Sequence, residues 1–242
     1  LEGARVSFQV VILAGGMGTR IQSVAGNLPK ALIPVAGQPF IRHQLELLQR
    51  NNLTKVLLLV GYRGDLIEHE LGDGSSFGFD ITFVHEQPNR LLGTGGAILN
   101  ALDHLSDEFM VMYGDSYLPV DYQAMIRWYK TQKLPAVMSV FKNHGQWDSS
   151  NVRIANNHVI YYDKKAKPGD ADYIDYGLSI LTKDIMASYL QHSKPLDLAV
   201  ILSELVSSHQ LAAYEVTQRF YEIGKPEGLA ELDTLLRKSK QV

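Results

Sequence analysis

A short, dominantly apolar run from Phe8 to Ala14 closes on Gly15, Gly16 and Gly18. An apolar run this short, with no polar alternation, reads as a strand buried on both faces, and the glycines as a loop at its C-terminal end. A strand covered on both faces belongs in a parallel sheet sheathed by helices, so this passage directs the chain toward an α/β layer architecture rather than a bundle or sandwich. The next segments repeat the alternation. Pro39 to Arg50 carries apolar residues at helical spacing behind a proline, and Lys55 to Val60 is a second buried strand. Tyr62 to Leu71 reads as a helix stopped by Gly72-Asp73-Gly74, Asp80 to His85 as a strand, Gly95 to Leu105 as a helix opening on glycines, and Glu108 to Tyr113 as a strand ending at Gly114-Asp115.

Tyr122 to Lys130 reads as a further helix, after which the style changes. Ala136 to Phe141, Val152 to Ala155, Val159 to Tyr162 and Tyr173 to Leu181 are closely spaced strand-like segments, with Asn156-Asn157 suited to a hairpin turn, and they read as antiparallel additions to the sheet. Helices near Lys183 to Gln191 and Leu198 to Ser208, short strands at Leu211 to Val216 and Arg219 to Ile223, and a helix from Pro226 complete the chain. The expected fold is a three-layer α/β/α, Rossmann-like arrangement around a mixed, mostly parallel central sheet, with ligands at the strands' C-terminal ends. No repeat or Pro/Gly/Ser linker divides the chain; residues 1–7 are expected to be a tag or disordered tail and residues 8–242 one domain.

Composition narrows the function classes. Lys and Arg number 23 against 26 Asp and Glu, a formal charge of −3 without any basic block, so no nucleic acid partner is expected. The absence of cysteine excludes disulfide frameworks, thiolate nucleophiles and Cys-ligated zinc. The eight histidines lack metal-ligand spacing and are expected in surface or capping roles. Apolar stretches such as Val10 to Ala14 and Val56 to Val60 fall far short of the ~20 residues of a membrane-spanning helix, so no membrane association and a cytoplasmic setting are expected. No pattern bears on oligomeric state.

The glycine loop places backbone N–H groups where anionic oxygens can approach closely. It is not a P-loop, because no Gly-Lys-Ser/Thr lies at the required spacing, and it is not a dinucleotide fingerprint, because position 21 is Ile. The residues beyond the loop are more particular. Arg20 offers a planar, bidentate grip on phosphate, and Lys30 lies ten residues on in Leu28-Pro29-Lys30-Ala31-Leu32-Ile33-Pro34-Val35, with Gly37-Gln38-Pro39 close behind.

These strings resemble the signature of the sugar-phosphate nucleotidyltransferases, the nucleoside-diphosphate-sugar pyrophosphorylases: Gly-Gly-x-Gly-Thr-Arg, a spacer, and Pro-Lys-x-Leu-x-Pro-Val. Leu92-Gly93-Thr94-Gly95-Gly96-Ala97, Tyr113-Gly114-Asp115-Ser116 and Phe220-Tyr221-Glu222-Ile223-Gly224-Lys225-Pro226 continue the likeness in order, from about Val10 to Leu229. Among members it is most similar to compact bacterial enzymes that guanylylate heptose or mannose 1-phosphate or uridylylate N-acetylmuramate 1-phosphate.

The resemblance implies a reaction in which a sugar 1-phosphate oxygen attacks the α-phosphorus of a nucleoside triphosphate and pyrophosphate leaves. The nucleophile is already an anion, so the task is to neutralise and align two polyanions rather than to remove a proton. By resemblance, Ala14, Gly15, Gly16, Gly18 and Thr19 bind nucleotide, Arg20 holds the β- and γ-phosphates, and Lys30 meets the α-phosphate as its charge grows. Gly93 and Thr94 belong to the segment that closes on the base, with Glu86 and Gln87 upstream as polar readers. Lys164, in preference to Lys165, and Gly177 fall where the family holds the sugar phosphate.

Asp115 comes directly after an apolar strand, which puts its carboxylate at a strand end over the expected cleft, and Mg²⁺ is the implied cofactor. The second metal ligand is an Asp in the family, where this chain has Glu222. Glu222 is therefore either a longer-armed ligand or an ordinary strand glutamate. Tyr161, Tyr162 and Trp147 either line the sugar side or pack a hairpin. Two functions remain in view: a Mg²⁺-dependent transferase, with GTP and heptose or mannose 1-phosphate as the leading pair and UTP with N-acetylmuramate 1-phosphate as the alternative, and an idle nucleotide-sugar sensor or regulatory subunit suggested by Glu222.

Overall fold

In the computed structural model, which describes residues 7–16, 18–21, 26–87, 92–192 and 195–239, the chain alternates strand and helix through its first half. The elements there are β1 (Gln9–Ala14), β2 (Pro34–Val35), β3 (Gln38–Pro39), α1 (Phe40–Arg50), β4 (Lys55–Val60), α2 (Gly64–Leu71), β5 (Asp80–His85), α3 (Gly93–Asn100), β6 (Glu108–Tyr113), β7 (Ser116–Tyr117) and α4 (Tyr122–Thr131). The second half adds β8 (Ala136–Lys142), β9 (Val152–Ala155), β10 (His158–Tyr162), β11 (Tyr173–Thr182), α5 (Lys183–Ala187), α6 (Leu198–Ser207), β12 (Leu211–Val216), β13 (Tyr221–Glu222) and α7 (Pro226–Ser239). The expected tail over residues 1–7 lies, apart from Ser7, outside the described residues.

One large sheet runs in the order β5-β4-β1-β6-β11-β8-β12-β10-β9. Its strands explain the unalternating apolar runs, because successive side chains feed two separate cores. Val10 and Ile12 of β1, Val56, Leu58 and Val60 of β4, and Met110 and Met112 of β6 pack on one face with α1, α2, α4 and α7. Val11, Leu57, Leu59, Phe109 and Val111 pack on the other with α3, α5 and α6. Burying a Val, Leu, Ile or Phe side chain contributes about 1.5–3 kcal/mol, so a strand buried on both faces gives the sheet its register as well as its stability. The expected three-layer α/β/α arrangement is therefore borne out.

Strand direction matches the expectation with one correction. Strands β5, β4, β1, β6, β8, β12 and β9 run one way and β11 and β10 the other. The segments after α4 are thus not simply antiparallel additions. β11 inserts between β6 and β8 against both, and β8 and β12 then resume the original direction as a parallel pair. The β9–β10 hairpin turns at Asn156 and Asn157, both with positive φ (50° and 61°), the conformation a two-residue turn of this kind requires.

Some helix ends shift from their expected positions for local reasons. α2 starts at Gly64 because Arg63 is left-handed at φ 51°. α3 starts at Gly93 and stops at Asn100, after which Leu102–His104 forms a separate 3₁₀ turn. α5 stops at Ala187, well short of Gln191. His43 departs from the expected surface role: it is buried, its Nε2 lying 2.7 Å from the Val35 carbonyl oxygen, and it ties α1 to the β2–β3 turn.

What this topology positions is the gap between β1 and β6. From β1 the chain moves outward through β4 to β5, then crosses back to place β6 on the other side of β1. Such a reversal opens a crevice at the strands' C-terminal ends. Leu13 pairs with Tyr113, so the glycine loop after β1 and the Gly114-Asp115 turn after β6 emerge side by side. The approach is close: Gly114 N donates to Leu13 O at 2.9 Å, and a Cβ on Gly114 would lie 2.8 Å from that oxygen.

Candidate active site

Two cavities meet at this crevice. The first, about 360 Å³, is walled by Ala14, Gly15 and Gly16 of the glycine loop, Lys30, Gly93 and Thr94 at the start of α3, and Glu86. The second, about 410 Å³, is walled by Arg20, Lys164, Asp175, Gly177, Glu222 and Asp148, among others. Tyr113 and Asp115 line both. The structure thus brings together Ala14, Gly15, Gly16, Lys30, Gly93, Thr94 and Asp115 on one side, and Arg20, Asp115, Lys164, Gly177 and Glu222 on the other.

Lys30 is held from two directions. Its stem packs on Gly18, where a Cβ would come within 2.9 Å of the lysine Cγ, and its Nζ donates to Asp115 Oδ2 at 2.8 Å. Gly18 therefore supports the first cavity through Lys30, with a left-handed φ of 65° that favours glycine. Thr19 begins a short 3₁₀ turn, Thr19–Ile21, and its side chain lies outside the described residues.

Of the two polar residues before α3, Gln87 is exposed and Glu86 lines the first cavity. Glu86 N extends the sheet by donating to Val60 O, and its carboxylate lies over Gly15, where a Cβ would meet Oε1 at 2.6 Å. Burial raises the Glu86 carboxyl above the usual carboxylate range. Lys164 lines the second cavity and Lys165 does not.

Asp115 and Glu222 come from distant parts of the chain but are neighbours. β13 pairs antiparallel with β7, Glu222 opposite Ser116, and Ile223 N donates to Asp115 O at 3.0 Å. Although Glu222 as a whole residue is exposed, enclosure of its carboxylate raises its affinity for a proton, helped by Asp115 and Asp148 and opposed by Arg20 and Lys30. A cation between the two carboxylates would relieve that strain. Among the described residues no three His, Cys, Asp or Glu side chains form a metal cluster. The pair nonetheless suits Mg²⁺, which commonly takes one or two protein carboxylates and completes its shell with phosphate oxygens and water.

Three contributors were not singled out by sequence pattern. Tyr113 lines both cavities, and its phenol is raised far above the ordinary range, first by burial and then by Asp175, Asp197, Asp115 and Glu222. Asp197 bridges the two sides: it accepts from Thr94 Oγ1 at 3.1 Å and from Lys164 Nζ at 2.9 and 3.0 Å while capping α6 through Ala199 N. Burial alone would raise Asp197, but these hydrogen bonds outweigh it and hold its carboxyl below the usual range. An acidic residue just before an apolar helical run was the available signal for it. Asp175 sits at an irregularity in the β8–β11 pairing, beside Gly177 at φ 88°, and accepts from Gly177 N and Tyr162 Oη. The irregularity turns this stretch of β11 to the second cavity.

Residues 9–239 match the family model described as nucleotidyl transferase, and the chain belongs to that family. It is 28% identical over 222 residues to the D-glycero-alpha-D-manno-heptose 1-phosphate guanylyltransferase of Campylobacter jejuni, covering 90% of this chain and 96% of the relative. The crystal structure of HddC from Yersinia pseudotuberculosis superposes with a TM-score of 0.77 at 27% identity, covering 95% of this chain and 99% of that one, and a second structure of HddC is complexed with GMP-PN. The inositol-1-phosphate CTP transferase of T. maritima shares the fold, with a TM-score of 0.79 at 20% identity and 98% of each chain covered. The expected enzyme class, nucleotidyl transfer, is thereby borne out.

Proposed function

We propose that this nucleotidyltransferase joins a nucleoside triphosphate to a sugar 1-phosphate, releasing pyrophosphate and a nucleoside-diphosphate sugar, with guanosine triphosphate and a heptose or mannose 1-phosphate as its pair. The observation that carries the reading is the shared wall. A glycine-loop cavity and a Lys164–Gly177 cavity meet at Asp115, so two phosphorylated substrates bound in them would abut there. One phosphate oxygen of the sugar 1-phosphate forms a bond to the α-phosphorus while the α–β bridging bond breaks, and the electron pair leaves on pyrophosphate. No proton need move, so the protein's contribution is charge and alignment.

In this reading the loop N–H groups and Arg20 receive the triphosphate, Lys30 stabilises charge growing at the α-phosphorus, and Lys164 orients the sugar phosphate. Asp115 and Glu222 would hold Mg²⁺, which when bound neutralises charge on the phosphates. Glu222 next to Asp115 supports a working enzyme over an idle sensor. The choice of guanine rests on Glu86. Two carboxylate oxygens match the adjacent N1–H and N2–H₂ donors of guanine, whereas uracil presents a single N–H between two carbonyls that a carboxylate repels. We further propose one catalytic domain over residues 8–242, working in the cytoplasm, where nucleoside triphosphates are supplied, for cell-envelope or other glycan synthesis.

The test is a matrix of the four ribonucleoside triphosphates against mannose, heptose, glucose and N-acetylmuramate 1-phosphates, read by pyrophosphate release with and without Mg²⁺. Turnover is expected with the guanosine row. Binding of triphosphate without release in any cell of the matrix would establish the sensor instead.

A further inference from the structure

The second cavity contains a carboxylate that the reaction does not employ. Asp148 lies on the loop of residues 143–151 between β8 and β9, at the cavity wall. Its Oδ1 accepts from the adjacent Ser149 N at 2.7 Å, and among the described residues its Oδ2 has no partner. Of the other charges that line the cavity, Asp115 is paired with Lys30, Lys164 with Asp197, and Asp175 accepts from Tyr162 and Gly177; Arg20, Glu222 and Lys225 line it as well.

The loop that presents Asp148 is braced on both sides. From inside, the buried Asn143 donates through Nδ2 to Asp148 O at 2.5 Å and to Ser150 Oγ at 3.1 Å, and accepts from Trp147 N at 3.0 Å. From outside, the Arg219 guanidinium covers the Trp147 ring at 3.4 Å, lies 4.7 Å from the ring of Tyr221, and donates to both oxygens of Glu231 on α7 at 2.5 and 2.7 Å. A guanidinium fixed by a bidentate carboxylate and set between two aromatic rings is a rigid anchor. It fastens the loop to Tyr221, next to Glu222, so the position of Asp148 is fixed relative to the site of transfer. Nothing about folding the sheet requires an exposed tryptophan to be gripped in this way.

We propose that Asp148 is a specificity-determining residue for the sugar 1-phosphate, accepting hydrogen bonds from hydroxyl or ammonium groups of the ring and repelling sugars that carry a carboxylate, and that Trp147 and Arg219 are its positioning residues. The inference rests on the second cavity being the sugar 1-phosphate site. It favours neutral and amino sugars and disfavours uronic or lactyl-bearing ones, because a like charge brought beside Asp148 adds to those of Asp175 and Glu222 on the same cavity wall.

The test compares kcat/KM for mannose and glucose 1-phosphates, glucosamine 1-phosphate, and the C6-carboxylate counterparts mannuronate and glucuronate 1-phosphates in the intact chain. The carboxylate forms are expected to be slower by about 30-fold or more, and Asp148→Asn to narrow that ratio by about tenfold, the scale of one partly screened like-charge contact. Trp147→Ala should raise KM for the sugar phosphate about fivefold and leave KM for the triphosphate within twofold, with Trp147→Phe restoring the sugar KM because it retains an aromatic face for Arg219. Equal use of neutral and carboxylate sugars, or an unchanged ratio in Asp148→Asn, overturns the role of Asp148 while leaving the reaction intact. Equal rises in both KM values in Trp147→Ala overturn the positioning role. No pyrophosphate release with any sugar 1-phosphate overturns the site reading and this inference together.

Discussion

Replacing Lys30 by Met separates charge from packing, because the thioether keeps most of the stem that lies on Gly18 while removing the ammonium that meets Asp115. The pair is 2.8 Å apart, with side chains 17% and 27% exposed. At an effective dielectric of about 20 the gross attraction at such a distance is roughly 4–6 kcal/mol. Desolvation of both groups offsets most of it, leaving about 1–2 kcal/mol for a partly exposed pair. For a chain of this size each kcal/mol shifts Tm by about 2–4 °C, so Lys30→Met should melt roughly 2–8 °C lower without divalent cation. The catalytic loss should be larger. If the ammonium acts on charge that appears only as the α-phosphorus is attacked, kcat should fall by about 10²–10³ and KM for the triphosphate should change much less. Scanning calorimetry gives the first number, and pyrophosphate release at saturating substrates the second. A near-normal kcat with only a raised KM would make Lys30 a binding residue and refute the transition-state role.

Asp115→Asn keeps shape but removes a negative charge, so Mg²⁺-dependent turnover should be lost while Tm stays within a few degrees; unchanged dependence of rate on Mg²⁺ would remove Asp115 from the metal site. Because burial raises the Glu86 carboxyl, its ionised form is lost as pH falls at a higher pH than for an ordinary glutamate, so KM for guanosine triphosphate should climb on the acid side. Glu86→Gln should bind guanosine triphosphate more weakly and lack that inflection, and an identical pH profile would dissociate Glu86 from the base. Asp197 has a lowered carboxyl, so the stability it contributes is present above the ordinary aspartate range and disappears as pH falls through the folded-state value; denaturant titrations from pH 7 to 3 should show a smaller acid loss in Asp197→Asn than in the parent chain. Gly93→Ala should cost at least 1–2 kcal/mol, about 2–8 °C in Tm, from the left-handed φ of 76° and a Cβ placed 2.5 Å from Leu196 O, and an unchanged Tm would show that this turn yields freely.

Much of the parallel half of the fold was legible because β1, β4 and β6 are buried on both faces and stand alone as apolar runs; β5 is an edge strand with Asp80, Thr82 and His85 exposed, yet it too spans the expected residues. The insertion of β11 against its neighbours was not legible, since an apolar strand of the same period serves either direction and pairing is decided by partners far along the chain. The expected strand from Arg219 to Ile223 shrinks to Tyr221–Glu222 for a related reason: Arg219 is drawn to Trp147 and Glu231 rather than into a ladder. At the site, contiguous strings placed the glycine loop, Lys30 and Asp115 in one crevice. Of the two expected polar readers, Glu86 is the one that lines the cavity, its N–H extending the sheet to Val60 O, a bond between distant residues that no local pattern records.

The pairing of Glu222 opposite Ser116 also has a bearing on the order in which a nascent chain acquires its parts. Strands β1, β4, β5 and β6 pair with one another and all precede α4 in the chain, although the start of α3 is braced by Leu196 and Asp197 from beyond it. The carboxylate pair is incomplete at that stage, because its second member arrives with β13, after β11, β8 and β12 have built the sheet outward. Contacts of such sequence separation are slow to form and close the assembly late. A chain halted before that point would carry Asp115 without its partner carboxylate, so an incomplete product of translation would lack half of the pair that suits Mg²⁺.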